Sequence, residues 1–374
     1  MAWPIPDVPA QKIVHEPNYW FWIMILIVML IAGAISSAFF FAEATYVTIL
    51  SYGLLPALLI WLCLFGVILN RYEQSVEAGR AWNLETERTK DEWRSWSRRQ
   101  IAVIGNVLFS PEEKGMEALL GELDKIPAFP HKARPLFNSS YSFAALMKEA
   151  DLKLELQFPG YRHFLQAIYV FQSPERDDEY HSEAIYQQWD LVPVTTHSLG
   201  ILEPLYDSRV SHGLILILCL QDWPFRNVGQ SSEFISAQLI ASSTFARQHS
   251  MPVIAGITRI MPLETKEIIN ELNILFEYIQ PDKKNLHYVW LLGETEKSAV
   301  EIIQYANRHQ WPLPEKRPLH SLDFSFGPPG EMALPISLAM LAEAATITGK
   351  DQLLVNYTPQ QKGTLCLITR ELYE

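Results

Sequence analysis

The sequence predicts an α/β protein: an N-terminal two-helix transmembrane hairpin, a helical stalk, and a layered α/β domain on the cytoplasmic side. Three observations predict this. Two uncharged apolar runs, Tyr19–Phe41 and Tyr46–Leu69, each exceed the roughly 20 residues that a helix needs to cross a bilayer. Residues 71–100 carry mixed charges and no proline. From Ile101 onward, short apolar runs alternate with helical patterns, as in a sheet covered by helices. The chain divides into a leader (1–18), the hairpin (19–70), the stalk (71–100) and the globular domain (101–374). The domain has halves of about 101–230 and 231–374.

In the hairpin only Ala42–Thr45 separates the two spans, so Glu43 marks its tip. Pro56 falls inside the second span, where neighbouring helix contacts tolerate it. Tyr19, Trp20 and Trp22 suit an aromatic anchor at one interface. A cleaved signal peptide would have a shorter apolar region behind a basic start, and this leader is not basic overall. Lys12 precedes the first span, and Arg71, Arg80, Arg88, Lys90, Arg94, Arg98 and Arg99 follow the second. The excess of positive charge places both termini and the main domain in the cytoplasm.

In the stalk, Glu77–Arg80, Glu85–Arg88 and Asp91–Arg94 are opposite charges at i,i+3, which support a helix. Glu73–Glu77 and Glu87–Asp91 are like pairs that oppose it. Trp93 and Trp96 share one face. The expectation is that they dock on the globular domain; the alternative is a partner-binding helix. Arg94, Arg98 and Arg99 read as a solvated face rather than an anionic-lipid contact.

Hydrophobic residues make up 49% of the 374, with the excess before residue 70. A formal net charge of -12 argues against a nucleic-acid footprint. Cys63, Cys219 and Cys366 lie in apolar contexts and form no CxxC pair, so they read as buried thiols in a reducing compartment.

Within the domain, strands are expected at Ile101–Phe109, Gly213–Leu220, Phe234–Ser243, Pro252–Arg259, His287–Gly293, Gln352–Tyr357 and Gly363–Thr369. Tyr161–Phe171 is apolar-rich. Helices are expected at Met116–Leu123, Ile201–Asp207, Ser243–His249, Glu264–Ile279, Ser298–His309 and Met332–Ala345. Gly213–Leu220 is apolar throughout, the mark of a strand buried on both faces.

Two stretches look like places for working residues: Gly293–Ser298 (GETEKS) and Ser321–Gly330 (SLDFSFGPPG). GETEKS lacks the second glycine of a phosphate loop. The histidines show no metal-ligand spacing, and there is no G-x-S-x-G elbow. No metal and no cofactor are expected. His197 with Glu203 and Asp207 is one conceivable acid–base group.

The order of elements resembles the thiolase fold in its β-ketoacyl-synthase form. Ser232–Ser243, Phe245–His249 and Pro252–Ile257 are similar to the strand, helix and strand that open that family's second half. Tyr288–Glu296 resembles the strand running into its H-G-T-x-T motif, and Ser321–Pro335 resembles its S-x-K-x-x-x-G-H segment and following helix. Thr195–Gly200 up to Gly213 resembles the nucleophile segment. The resemblance spans roughly 101–374 and is stronger in the second half.

On this resemblance the cysteine place holds Thr196, the two histidine places hold Leu292 and Pro328, and the lysine place holds Asp323. Decarboxylative condensation needs a thiolate and two imidazoles, so the resemblance implies an outline without its chemistry. The turn glycines Gly293, Gly327 and Gly330 remain, and His197, Gly293 and Gly327 would border any residual pocket. The implied function is a non-catalytic scaffold or adaptor on a bacterial inner membrane, with protein partners. Self-association follows by analogy with thiolase-like enzymes. Phe234–Arg259 also resembles accessory and adaptor proteins of bacterial type VI secretion, including the type VI lipase adaptor family, so the expected partners are secretion machinery or an effector. The alternative is a membrane-bound acyl-transfer or lipid-modifying enzyme with a relocated active site.

Overall fold

The computed structural model describes residues 3, 5, 9, 11–40, 45–137, 141–173, 178–207, 213–223, 230–263, 268–293, 296–328, 330–357 and 363–373. The chain forms two compact units, Ile5–Glu92 and Trp93–Glu374 with Met1–Pro4.

The first unit holds α1 (Tyr19–Phe40) and a second arm. That arm comprises α2 (Tyr46–Ile49), a π-helical stretch at Leu50–Leu54, and α3 (Leu55–Ser97). The second span and the stalk are therefore one continuous helix. Pro56 has no N–H to offer the preceding turn, and the widened turn sits directly before it. Both arms are long and apolar enough to cross a membrane. Small residues bring them into backbone contact: a Cβ on Gly33 would lie 2.5 Å from the Gly53 carbonyl oxygen, and one on Gly53 2.7 Å from Ser37 Oγ. Trp61 Nε1 donates to the Trp22 carbonyl at 2.9 Å. Outward residues such as Trp20 and Phe39 are 79% and 86% exposed, an apolar surface suited to lipid. The expected tip at Glu43 lies outside the described residues.

The leader lies along α3. Val14 N donates to Ser75 Oγ at 3.3 Å, and Trp82 Nε1 donates to the Pro9 carbonyl at 3.0 Å. Of the expected charge pairs, Glu77–Arg80 forms at 2.6 Å, while Arg88 turns to Glu92 at 3.6 Å.

The second unit begins with β1 (Gln100–Phe109), α4 (Glu117–Leu120), α5 (Phe143–Gln157), β2 (Leu165–Gln172), α6 (Asp178–Trp189) and β3 (Val194–Thr196). It continues with α7 (Glu203–Tyr206), β4 (Leu214–Gln221), β5 (Phe234–Ser242) and α8 (Ser243–Gln248). Then come β6 (Ala255–Thr258), β7 (Met261–Pro262), α9 (Ile268–Ile279), β8 (Leu286–Leu292), α10 (Glu296–Arg308) and β9 (His320–Ser321). It closes with α11 (Leu322–Phe326), α12 (Ala333–Thr348), β10 (Asp351–Asn356) and β11 (Thr364–Thr369).

The strands form one sheet in the order β3-β2-β4-β5-β1-β6-β11-β10-β8-β9, with β7 pairing β11. The order contains a repeat. β2 is parallel to β3 and β4, and β5 runs antiparallel between β4 and β1. β8 is likewise parallel to β9 and β10, and β11 runs antiparallel between β10 and β6. The two blocks meet where Gln100–Val103 pairs antiparallel with Thr258–Ala255. By strand order the first repeat ends with β5, so Phe234–Ser242 closes the first block rather than opening the second, and the division falls after residue 242 instead of near 230.

The burial pattern explains the elements. β4 is buried along nearly its whole length, as a central strand must be. α12 is apolar around its circumference and buried on nearly every side, and it stops where Gly349 adopts φ 65°. It packs across β5, β1, β6, β11 and β10 within one core that also takes residues of α4, α7 and α11. The opposite face of the first block is covered by α5, α6 and α8, and that of the second by α9 and α10.

Three expectations needed revision. The helix expected at Met116–Leu123 is a single turn, α4, with a separate 3-10 turn at Leu123–Lys125. α5 and α6 were not anticipated. α5 is capped by Ser142, whose Oγ accepts from Ala145 N. The apolar stretch from Tyr161 divides into a 3-10 turn and β2.

Candidate functional site

The stretches resembling a catalytic outline lie at the C-terminal ends of β3, β8 and β9. At the end of β8, Leu292 is 3% exposed and belongs to the core shared with α12. Gly293 turns the chain at φ 75°, and its N–H donates to Asp323 Oδ2 at 2.6 Å. Asp323 therefore ties the turn after β8 to the first turn of α11. Of the rest of GETEKS, Glu294 and Thr295 lie outside the described residues, and Glu296–Ser298 begin α10.

After α11 the chain passes through Gly327 at φ 97° and ψ -177°. Ser232 holds this passage. Its Oγ donates to the Phe326 carbonyl at 2.7 Å and accepts from Arg134 N at 3.0 Å, and its N–H donates to the Pro328 carbonyl at 3.2 Å. Gln221 adds a second tie, donating to the Ser232 carbonyl at 2.7 Å and accepting from Met332 N at 3.2 Å. Glu233 accepts from Leu136 N at 2.9 Å and Trp223 N at 2.6 Å. The loops around the outline are thus bound by polar side chains with backbone partners. Pro328 enters this network through its carbonyl.

The cavity at these positions is nearly filled. About 20 Å³ remains between Leu292, Asp323, Gly327, Phe234, Phe326 and Ser337, enough for one water molecule. Phe234 and Phe326 meet edge to face with centroids 5.4 Å apart. Small-molecule pockets usually hold about 300–1,000 Å³.

The first-half residues lie elsewhere. Thr196 ends β3, and its hydroxyl and the Ser198 N–H are 3.4 Å apart; no described imidazole, amine or carboxylate bonds that hydroxyl. His197 is exposed, with Nδ1 3.1 Å from the Gln172 carbonyl oxygen. Ser198, Gly200 and Glu203 border a separate cavity of about 150 Å³. Thr196 and His197 line neither cavity. Among the described residues, neither of these two cavities joins His197, Gly293 and Gly327. The repeat makes a further contrast: α7 has four residues, whereas α12, which follows β9 and α11, has sixteen.

The acid–base group expected of His197, Glu203 and Asp207 is not assembled. Glu203 and Asp207 instead hold Arg259, which is 1% exposed. Arg259 Nη1 donates to Glu203 Oε2 at 2.5 Å, Nη2 to Asp207 Oδ1 at 2.6 Å, and Nε to the Trp96 carbonyl at 3.2 Å. Its guanidinium lies 4.2 Å from the Trp96 ring centroid. Arg99 shares Asp207 at 2.6 Å. Trp93 and Trp96 pack together at 5.4 Å, and Trp3 meets Trp96 at 5.8 Å. The last turn of α3 is thereby docked through Trp96, and that tryptophan is engaged within the chain.

Of the three cysteines expected to be buried, Cys219 and Cys366 are, whereas Cys63 is exposed on α3. Burial pushes the Cys219 and Cys366 thiols up to about 12, so neither is a thiolate near neutrality. Among the described residues no cluster suits a metal ion.

No protein-family model matches the sequence, and no curated protein matches it either. Solved structures do. A ketosynthase in complex with its type II polyketide acyl-carrier protein, bound to the hexaketide, aligns with TM-score 0.50 and 9% identity over 73% of this chain and 100% of that one. The globular unit has a thiolase-like fold. Human mitochondrial 3-ketoacyl-CoA thiolase in complex with CoA aligns at TM-score 0.46 and 7% identity, over 74% of this chain and 99% of that one. The 3-oxoacyl-(acyl carrier protein) synthase III of Xanthomonas oryzae aligns at 0.44 and 9%, over 73% and 99%.

Two buried titratable groups give the thiolase-like unit opposing pH responses. Burial, with Arg317 nearby, lowers His320 from 6.5 to about 4; its ring lies tilted against Trp290 with centroids 4.6 Å apart. Burial raises Glu343 of α12 from 4.5 to about 7. Neutral His320 favours the fold above its unfolded pKa, and that stability is lost as pH falls from 6.5 towards 4. Protonated Glu343 favours the fold below its unfolded pKa, and that stability is lost as pH rises from 4.5 towards 7. Each is worth on the order of 3 kcal/mol across its window, so the two slopes largely cancel between pH 4.5 and 6.5. In melting of the full chain in detergent, H320F relative to wild type should lose stability as pH rises through this window, and E343Q should gain it. Identical pH slopes for wild type and E343Q would contradict a buried carboxyl.

Proposed function

We propose that the chain is a membrane-anchored, non-catalytic scaffold or adaptor whose thiolase-like domain has given up acyl chemistry. The observation that carries this reading is the cavity of about 20 Å³ at Leu292, Asp323 and Gly327. Acyl transfer there would need room for a thioester and groups to polarise it. The cavity has neither the volume nor an imidazole, and Asp323 is committed to the Gly293 amide. Two helices long and apolar enough to cross a membrane supply the anchor. The positive charges that follow the second span favour a cytoplasmic domain on a bacterial inner membrane.

The partners in this proposal are proteins, a second copy of the chain among them. The resemblance of Phe234–Arg259 to type VI secretion adaptors directs the search to secretion machinery or an effector; in the fold that passage forms β5, α8 and β6.

Crosslinked affinity capture from native membranes tests this, with the full chain beside a form lacking residues 1–70. The expected result is recovery of secretion or effector proteins by the full chain and their loss without the anchor. Incubation with labelled acyl thioesters should leave no acyl group on the protein. An ester-linked label present on wild type and absent from T196A would sink the non-catalytic reading.

A further inference from the structure

β1 is paired along nearly its whole length on one side only. Towards β5 its register runs from Ile101 to Phe109. Towards β6 it runs from Gln100 to Val103, and the Ile254 amide adds one more bond to the Val103 carbonyl at 2.9 Å. The register to β5 shifts between Val103 and Gly105, where the two sheet blocks part. Beyond that shift no described strand pairs with Gly105–Phe109 on the β6 side. About 17 Å of strand edge is left, at about 3.4 Å per residue.

One side chain covers part of this edge. Gln157, the last residue of α5, takes both backbone groups of Asn106. Its Oε1 accepts from the Asn106 amide at 2.7 Å and its Nε2 donates to the Asn106 carbonyl at 2.9 Å. A carboxamide carries the donor and the acceptor of a peptide group, so Gln157 takes the place of a neighbouring strand. Gln157 is exposed, so this cap is made at the surface, where another peptide group can replace it. Asn106 turns its backbone groups away from β5. Leu108, two residues on in an unbroken register, turns its own the same way. Among the described residues no side chain caps Leu108 as Gln157 caps Asn106.

Leu108 is half-buried and lines a cleft of about 360 Å³ that opens beside Gln157. The α12 wall is Thr346 and Ile347, the latter 46% exposed. The α5 wall presents Lys153, whose ammonium lies 4.9 Å from the Phe109 ring centroid and pairs with Glu149 at 2.8 Å on the exposed rim. Glu343 also borders the cleft, but its carboxyl turns to the Gly115–Met116 backbone, where the Met116 amide donates to it. The charge that the rim offers is therefore that of Lys153.

We propose that this edge accepts an extended peptide segment of a partner protein, which adds as a strand along Asn106–Leu108 and displaces Gln157. Its side chains alternate, apolar ones towards Ile347 and an acidic one towards Lys153. Such a segment replaces the Gln157 bonds at Asn106 and adds new ones at Leu108. In strand addition the main chain supplies affinity and the alternate side chains supply specificity. The acidic residue pairs at an exposed rim, so it fixes register more than it adds affinity. An open strand edge is a template for pairing, and a single side chain laid across it is a displaceable guard. The inference rests on the scaffold reading for its partner. Peptide binding is measured apart from acyl labelling and membrane capture, so failure here removes this edge and leaves that reading standing.

The probe is the peptide acetyl-TVEVT-amide, titrated by saturation-transfer NMR on the full chain in lipid nanodiscs, with empty nanodiscs as control. Q157A should tighten binding by about threefold or more, because the edge is then permanently open. I347W should weaken binding by crowding the α12 wall at an exposed position. N-methylation of both valines and N-methylation of the glutamate block opposite edges of the peptide. One form should lose about tenfold or more in affinity, and the other should bind like the parent. Equal affinities for the two methylated forms would overturn the proposal, because strand pairing uses one edge of the peptide. Unchanged affinity in Q157A, or no binding to Q157A at millimolar peptide, would also overturn it.

Discussion

Replacing Glu203 and Asp207 together with alanine is expected to destabilise the full chain by about 3–5 kcal/mol, more than replacing Arg259 itself. The asymmetry follows from burial. The Arg259 side chain is 2% exposed, whereas those of Glu203 and Asp207 are 36% and 43% exposed. Removing both carboxylates strands a guanidinium that water cannot reach. Removing the guanidinium leaves two carboxylates that water can solvate, and methionine fills the space between the Trp96 and Tyr206 rings that Arg259 occupied. R259M should therefore cost only about 1–3 kcal/mol. Urea unfolding in a fixed detergent, read by tryptophan fluorescence, checks the order. R259M proving as costly as the double variant would mean that the guanidinium is hydrated after all. The pairing also matters for function in the proposed scaffold, because Arg259 joins the last turn of α3 to α7, close behind Thr196.

Gly327→Ala is expected to cost about 3 kcal/mol or more. Its backbone, at φ 97° and ψ -177°, occupies a region essentially confined to glycine, worth about 1–3 kcal/mol for any other residue. The added Cβ would also collide with the Lys132 carbonyl oxygen and lie 2.6 Å from Ser232 Oγ. The carbonyl belongs to a backbone that cannot rotate away, so steric cost adds to torsional cost. S232A should relieve only the second contact and so recover little in the double variant. Thermal melting of G327A, S232A and the double variant measures this. A wild-type melting temperature for G327A would show that the passage has another accessible conformation.

The elements legible in the sequence were those whose signal is local. Uncharged runs of about 20 residues announce membrane-length helices, and Leu214–Gln221 announces a central strand, because neither depends on partners. α5 was legible in principle: Phe143, Leu146, Met147, Ala150 and Leu154 share one face and Ser142 caps it, but interspersed charges masked the stripe. α4 was overextended because the apolar residues of Met116–Leu123 continue where the helix stops at Gly121, which leaves the helical region with ψ -165°. The strand Phe234–Ser242 was legible, but its place was not. An antiparallel strand that closes one repeat and a strand that opens the next have the same burial pattern, and only pairing separates them.

The candidate site divides in the same way. The assignment of Thr196, Leu292, Asp323 and Pro328 to the family's catalytic places came from the resemblance in the sequence, and the residue types at those positions stand in the sequence itself. What occupies the space instead depends on residues far apart in the chain. Ser232 reaches Phe326, Gln221 reaches Met332, and Phe234 meets Phe326. The sequence by itself determined the two membrane-length helices and most strands, since these are properties of local composition and residue identity. The tertiary structure decided that the outline is filled, that Glu203 and Asp207 belong to a buried arginine, and that a separate cleft lies at Asn106 and Glu343. Those outcomes rest on contacts between distant residues, whose energies depend on burial and partner geometry that no local pattern encodes.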